Sequence, residues 1–299
     1  MITVVGSIAF DAVRTPAGER ERMLGGAATH FALAASQFDR VAVVGPVGSD
    51  FGPDDEAVLA TRGTDLGDLV RVRGGETFFW RGEYGSDLNS RRTLETRLNV
   101  FAGFDPELSS VARTCDALFL ANIQPRLQRA VLDQCPAASF VALDSMDLWI
   151  EQERDALIDV ITDVDCVILN DAELRQLTGA ASLHTAAREV LALGPSAVVA
   201  KRGEYGAVLV TRESYFALPA YPVERVVDPT GAGDTFAGGF VGALARGADL
   251  RLAMAYGTAL ASFNVEAFGT ERVVDLTEHE IRARVHDLQR FTHFQEVAA

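Results

Sequence analysis

The stretch DPTGAGDTFAGGF, residues 228–240, concentrates residue types that handle anions and protons. Phe236, Phe240, Val241 and Leu244 follow it at helical spacing, and Gly247 offers a stop. Thr230 to Gly233 are therefore expected at a helix N-terminus, where the first amides lack intrahelical partners and the helix dipole is positive. Gly231, Ala232 and Gly233 carry little bulk, so an oxyanion can approach their N–H groups closely. No lysine follows the glycines as it would in GxxxxGK[ST], so the donors are backbone amides. Asp234 puts a carboxylate one residue beyond them. Phosphoryl transfer needs a group that takes the proton of the attacking hydroxyl, and Asp234 fits that need. A plain first-turn aspartate is the competing reading, and the residues alone leave both open.

Further candidates are scattered along the chain. Asn170 and Glu173, in LNDAELRQL, read by themselves as the start of a helix with an acidic first turn. Lys201 is the single lysine of an arginine-rich chain, either a position that a guanidinium does not suit or a surface remnant. His30, in GGAATHFA, is a donor and acceptor for a ligand or a satisfied core histidine. Asn89 and Asp144 lie near expected strand ends and are second-rank substrate contacts. Phe78, Phe79, Trp80 and Tyr84 are read as packing residues ahead of a stack for a nucleobase. Arg81, Arg91 and Arg92 are read as solvated or paired with Glu83 and Glu95, ahead of an anion site.

Short apolar runs alternate with helical patterns and must position these groups. TVVGSIAF (3–10), VAVVGPVG (41–48), CDALFLAN (115–122), SFVALDS (139–145), CVILN (166–170), SAVVAKRG (196–203) and YPVERVV (221–227) are strand-like. Residues 28–38, 124–135, 153–164 and 185–194 have helical spacing. Near-continuous apolar strands between helices imply a mostly parallel sheet covered on both faces, an α/β fold. Two segments, 10–24 and 70–102, break the pattern with partial alternation, and 10–24 centres on a PAG turn. They are read as a small β-sheet lid on a single domain spanning residues 1–299.

Bulk composition narrows the function classes. The 299 residues are 48% apolar, enough for one large core, and the formal charge is −15. That charge argues against nucleic acid or an anionic membrane as a partner, while leaving small anions open to a cluster of amides. Three widely spaced cysteines form no CxxC pair, which suits a reducing cytoplasm. No run reaches the ~18 uncharged apolar residues of a membrane span, and the first strand never forms GxGxxG before a helix, against a dinucleotide oxidoreductase.

The 13-residue stretch closely resembles the C-terminal signature of the PfkB, or ribokinase-like, family of carbohydrate kinases. GGAA (25–28), Asp11, NDAE (170–173) and KRGEYGA (201–207) resemble its other motifs, in the family's order. The resemblance implies a ribokinase-like three-layer fold and a kinase that uses ATP and Mg²⁺. Asp234 would be the base and Gly231, Ala232 and Gly233 the anion hole. Asn170 and Glu173 would place Mg²⁺ and phosphate, often through water. Lys201, Gly203, Gly206 and Thr230 would lie with the nucleotide, and Asp11, Gly25 and Gly26 with the acceptor. Asp228 lies where some members hold a monovalent cation such as K⁺. His30 departs from the family, which commonly has a substrate-touching Asn there. The acceptor expected first is a small sugar, with a nucleoside as the alternative and a non-catalytic binding protein behind both. Exposed lid edges suggest a homodimer.

Overall fold

The computed structural model describes residues 1–293. Nine strands form one sheet: β1 (Ile2–Val5), β4 (Val41–Val47), β5 (Asp65–Arg71), β8 (Ala117–Leu120), β9 (Phe140–Leu143), β10 (Cys166–Asn170), β11 (Ala197–Lys201), β12 (Ala207–Thr211) and β13 (Tyr215–Leu218). Their order is β13-β12-β11-β10-β9-β8-β1-β4-β5, parallel from β11 through β5, with β12 and β13 antiparallel at one edge. This is the ribokinase-like α/β architecture that the sequence led us to expect.

Alternation along each strand decides which core a side chain joins. Ile2, Val4, Val41 and Val43 pack with Phe31 and Phe240 on one face. Val5, Ala42, Val44, Leu118 and Leu120 pack with Leu157 and Val190 on the other. Both faces are covered by helices, so the strands read as unbroken apolar runs. The helices Ala27–Ala35, Ala232–Ala245 and Leu250–Asn264 cover the first face. Gly238 permits their close approach: a Cβ there would lie 2.3 Å from the Phe31 carbonyl oxygen.

Residues 3–10 are not one strand. The chain leaves β1 at Val5, turns through Gly6–Ile8 and enters β2 (Ala9–Thr15), which belongs to a second sheet. Asp11 therefore stands on β2 and not at the end of the first strand. The second sheet has the order β3-β2-β6-β7, with β3 (Gly18–Gly25), β6 (Phe78–Tyr84) and β7 (Arg91–Arg97). The hairpin around the PAG turn is β2/β3. β2 and β6 pair in parallel, so this sheet is mixed and not wholly antiparallel. Residues 70–71 end β5 in the large sheet, which trims that end of the expected lid. Residues 221–227 form no strand: Pro222 lacks an N–H, and the segment's anchors are single bonds, from Val227 N–H to the Val265 carbonyl (2.7 Å) and from Thr15 Oγ1 to the Val227 carbonyl (2.7 Å). Among the described residues no helix is long and apolar enough to cross a membrane.

Candidate active site

The carboxyl ends of the parallel strands carry Asp144, Asn170 and Lys201, the edge where α/β sheets place ligands. The second sheet and the 228–234 turn face each other beside that edge. Thr230 Oγ1 lies 3.2 Å from the Tyr84 hydroxyl, which ties β6 to the turn.

Gly231 caps the helix Ala232–Ala245 with φ 73°, a conformation that disfavours any side chain. A Cβ on it would also fall 2.3 Å from the His30 ring. The Ala232 N–H bonds the Pro229 carbonyl at 3.2 Å, so it belongs to the turn and not to the free donors. The amides of Gly231 and Gly233 have no backbone acceptor among the described residues, and they remain for an anion. Asp228 is fully buried and organises the turn: its two oxygens accept from Thr230 N–H (2.9 Å) and Gly269 N–H (3.1 Å). Each oxygen of that carboxylate is thus already engaged with backbone.

Asp234 sits in the first helical turn. Burial pushes its carboxyl above the usual carboxylate range, opposed by Lys201, by its own backbone amide and by Arg91. Lys201 packs against the turn, since a Cβ on Gly233 would lie 3.2 Å from its Nζ. The lysine pairs with Asp144 at 2.5 Å and is no surface remnant: its side chain is 18% exposed and that of Asp144 5%. Asp144, expected as a substrate contact, is this lysine's partner. Burial raises its carboxyl to about 6 against the pull of Lys201.

Asn170 and Glu173 form a capping box. The Asn170 Oδ1 accepts from Glu173 N–H (2.8 Å), and a Glu173 oxygen accepts from Asn170 N–H (2.7 Å). Burial nevertheless holds Glu173 at about 7, with Lys201 lowering and Asp144 raising it. The pair thus starts the helix as its residues alone suggest, at the strand-end edge that also carries Lys201. Among the described residues no group of three or more His, Cys, Asp or Glu forms a metal cage. Carboxylates beside one lysine suit Mg²⁺ that arrives on a nucleotide and keeps its waters, which needs one or two protein carboxylates.

On β2, Asp11 is 6% exposed and raised to about 7, chiefly by burial and then by Asp228 and Asp234. Gly25 lies directly against it: a Cβ there would be 2.0 Å from Asp11 Oδ2. Gly26 precedes the helix Ala27–Ala35 with φ 93° and touches the Ser7 carbonyl. His30, on that helix, is 2% exposed, and burial lowers its pKa to about 4.

Gly203 and Gly206 shape the turn between β11 and β12 with φ of 54° and 84°. Asn89 is exposed at the β6/β7 loop and donates to Glu204 in that turn (2.9 Å). Phe78 packs on Phe101, and Trp80 donates to Thr93, as packing residues do. Arg92 pairs with Glu83 and Arg81 approaches Glu95. Arg91 differs, because its charge is felt by Asp234 and Tyr84. The sequence reading missed Asn264, which bonds to His30, Thr235 and Thr230. No periodic or motif signal marks it, since it ends an ordinary helix.

An acidic side chain and helix-start amides beside a lysine at the strand ends are groups that could serve phosphoryl transfer to a hydroxyl. The pfkB family carbohydrate kinase model matches residues 1–276, and the chain belongs to that family. It is 31% identical to a cytidine kinase of Thermococcus kodakarensis, over 83% of this chain and 90% of that protein. Its fold resembles the Burkholderia thailandensis nucleoside kinase solved with inosine (TM-score 0.83, 21% identity, 96% of this chain and 97% of that one). It also resembles an Escherichia coli chain solved with ATP and Mg²⁺ (TM-score 0.81, 21% identity, 96% and 99%).

Proposed function

We propose that this protein transfers the γ-phosphoryl group of MgATP to a hydroxyl of a nucleoside, with Asp234 as general base. The observation that carries the reading is the placement of Asp234. It lies one residue past the free amides of Gly231 and Gly233, within the field of Lys201 and Asp11. Bound Mg²⁺ supplies charge neutralisation for the phosphates. Glu173 and Asp144 are the residues that would hold it, through water.

In the step itself, Asp234 takes the proton of the acceptor hydroxyl. The hydroxyl oxygen forms its bond to the γ-phosphorus as the bond to the β,γ-bridging oxygen breaks, and ADP leaves with that electron pair. A carboxyl raised by burial is a stronger base than a solvated one, and Lys201 opposes that rise by favouring the charged form. The amides of Gly231 and Gly233 face the transferring oxygens without reorganising. Asp11 and the Gly25 backbone face the acceptor. The second sheet, as a lid over residues 227–230, would exclude water.

The nucleoside assignment is supported by the cytidine kinase relative, which covers most of both chains. A free sugar is the second reading. It is favoured by the packing of Phe78 on Phe101 and the bond from Trp80 N–H to Thr93, which tie those two side chains to the protein. An ATP-consumption assay with Mg²⁺ on cytidine, adenosine, inosine and free pentoses separates the two. Turnover with a nucleoside and none with the pentoses is expected. The reverse pattern would replace the nucleoside by a sugar.

A further inference from the structure

The loop between β6 and β7 is built to hold out Asn89. Gly85 N–H bonds the Ser90 carbonyl (2.9 Å) and Leu88 N–H the Gly85 carbonyl (3.0 Å). Asp87 Oδ1 accepts from the N–H groups of Asn89 (3.2 Å) and Ser90 (3.0 Å), and its Oδ2 from Ser90 Oγ (2.7 Å). Leu88 is left-handed at φ 55°, which a residue with a side chain adopts only where its surroundings impose it. The loop is therefore shaped from within, and the Asn89 amide projects from it into solvent.

The turn after β11 is equally fixed. Arg202 N–H bonds the Gly206 carbonyl (2.8 Å), and Gly206 N–H bonds the Gly203 carbonyl (3.1 Å). Asn89 Nδ2 donates to Glu204 Oε1 at 2.9 Å, across 115 positions of sequence. A Cβ on Gly203 would lie 3.2 Å from Asn89 Oδ1, so the glycine leaves room for the tip of the lid. The same sheet is tied a second time, through Tyr84 to Thr230. The two turns so bridged carry the groups that handle phosphate. Lys201 immediately precedes one, Gly233 and Asp234 follow Thr230 in the other, and Lys201 Nζ is 3.2 Å from the Cβ position of Gly233. Arg91 stands opposite Tyr84 across the β6/β7 pair, and its charge is felt by Asp234. The tip of the lid thus spans the mouth over these groups.

We propose that Asn89 and Glu204 form a latch that gates entry and release of the nucleotide, with Asn89 a positioning residue of the lid and not a contact to the acceptor. This rests on the reading that the phosphates lie at the Gly231 and Gly233 amides. A latch lowers the population of the open form without touching the nucleotide. Entry and release both pass through that form, so the latch slows both by one factor and leaves the equilibrium affinity unchanged. A residue in contact with the nucleotide acts differently, because its loss speeds release and weakens affinity together.

The test follows MgADP carrying an N-methylanthraniloyl tag on its ribose, by stopped-flow fluorescence, with the full chain as wild type, Asn89→Ala, Glu204→Ala and the double variant. Both side chains are exposed, so the variants keep the fold. In each single variant the association and dissociation rate constants should both rise about fivefold, the worth of one such hydrogen bond, with their ratio unchanged. The double variant should match the single ones, because both remove the same bond. Faster dissociation with weaker affinity would make the pair a nucleotide contact. A change confined to the acceptor KM in Asn89→Ala would make that residue a substrate contact. Additive effects, or rates equal to wild type, would show that the bond is no gate. Each of these overturns the proposal. Independently of nucleotide, amide hydrogen exchange of the unliganded chain should speed up at residues 203–206 in Asn89→Ala and at 85–90 in Glu204→Ala. Without that reciprocity the latch falls while the kinase reading stands. Reciprocal exchange with no binding of the tagged ADP by any form would overturn the nucleotide reading on which the gate rests.

Discussion

Lys201→Met keeps the length of the side chain and removes its charge. The lysine faces Asp144 at 2.5 Å and is within the field of Glu173 and Asp234. Removing one partner of a buried ion pair costs about 3–5 kcal/mol, because the other charge is left without compensation. For a chain of this size that corresponds to a fall in Tm on the order of 10 °C. The cost must depend on pH. Asp144 is already raised to about 6 with the lysine present, and its loss raises that carboxyl further. A carboxyl with a raised native pKa is neutral when folded at low pH. Its penalty is absent below the unfolded pKa, grows as pH rises, and is complete above the native pKa. The variant should therefore lag the wild type most at pH 8 and least at pH 5. Thermal unfolding of both proteins at pH 5, 6, 7 and 8, without nucleotide, measures the gap. A gap of equal size at pH 5 and pH 8 would show that Lys201 contributes packing and not charge compensation, and would refute the reasoning.

Two more outcomes follow from the same geometry. Gly25→Ala places a methyl group 2.0 Å from Asp11 Oδ2 and must displace that carboxylate, so the KM of the acceptor should rise at least about tenfold, the scale of a lost hydrogen bond to a charged group, while MgATP affinity measured by calorimetry stays unchanged. In the wild type, Asp11 and Glu173 at about 7 and Asp144 at about 6 all lie above their unfolded values, so urea-derived stability should fall as pH rises from about 4 to about 7 and level off beyond; MgATP should recover more stability at pH 8 than at pH 5, and chelating the metal should abolish that difference.

The parts of the fold that were legible are those whose physics is local. Apolar strands between amphipathic helices announced the parallel sheet, and the PAG turn announced the β2/β3 hairpin. The turn at 228–234 was legible as a helix start because small residues followed by an acid and then apolar residues at helical spacing mark one. What escaped depends on distant partners. Gly6 and Ser7 are a two-residue turn signal inside an otherwise apolar run, too short to reveal that the chain changes sheets there and carries Asp11 onto β2. The 221–227 segment has the β-branched content of a strand but no ladder partner. Asp144 read as a substrate contact because its pairing with Lys201 spans 57 positions. Asn264 was invisible for the same reason: its three bonds reach positions 30, 230 and 235.

Asp234→Asn tests the central claim most directly. The amide is nearly isosteric, keeps the helix start intact and cannot take a proton. With the best acceptor from the panel, kcat should fall by roughly 10²–10⁴, the span of general base catalysis, while calorimetric affinities for MgATP and for the acceptor remain near wild type. A variant that binds both and turns over within threefold of wild type would contradict Asp234 as the base.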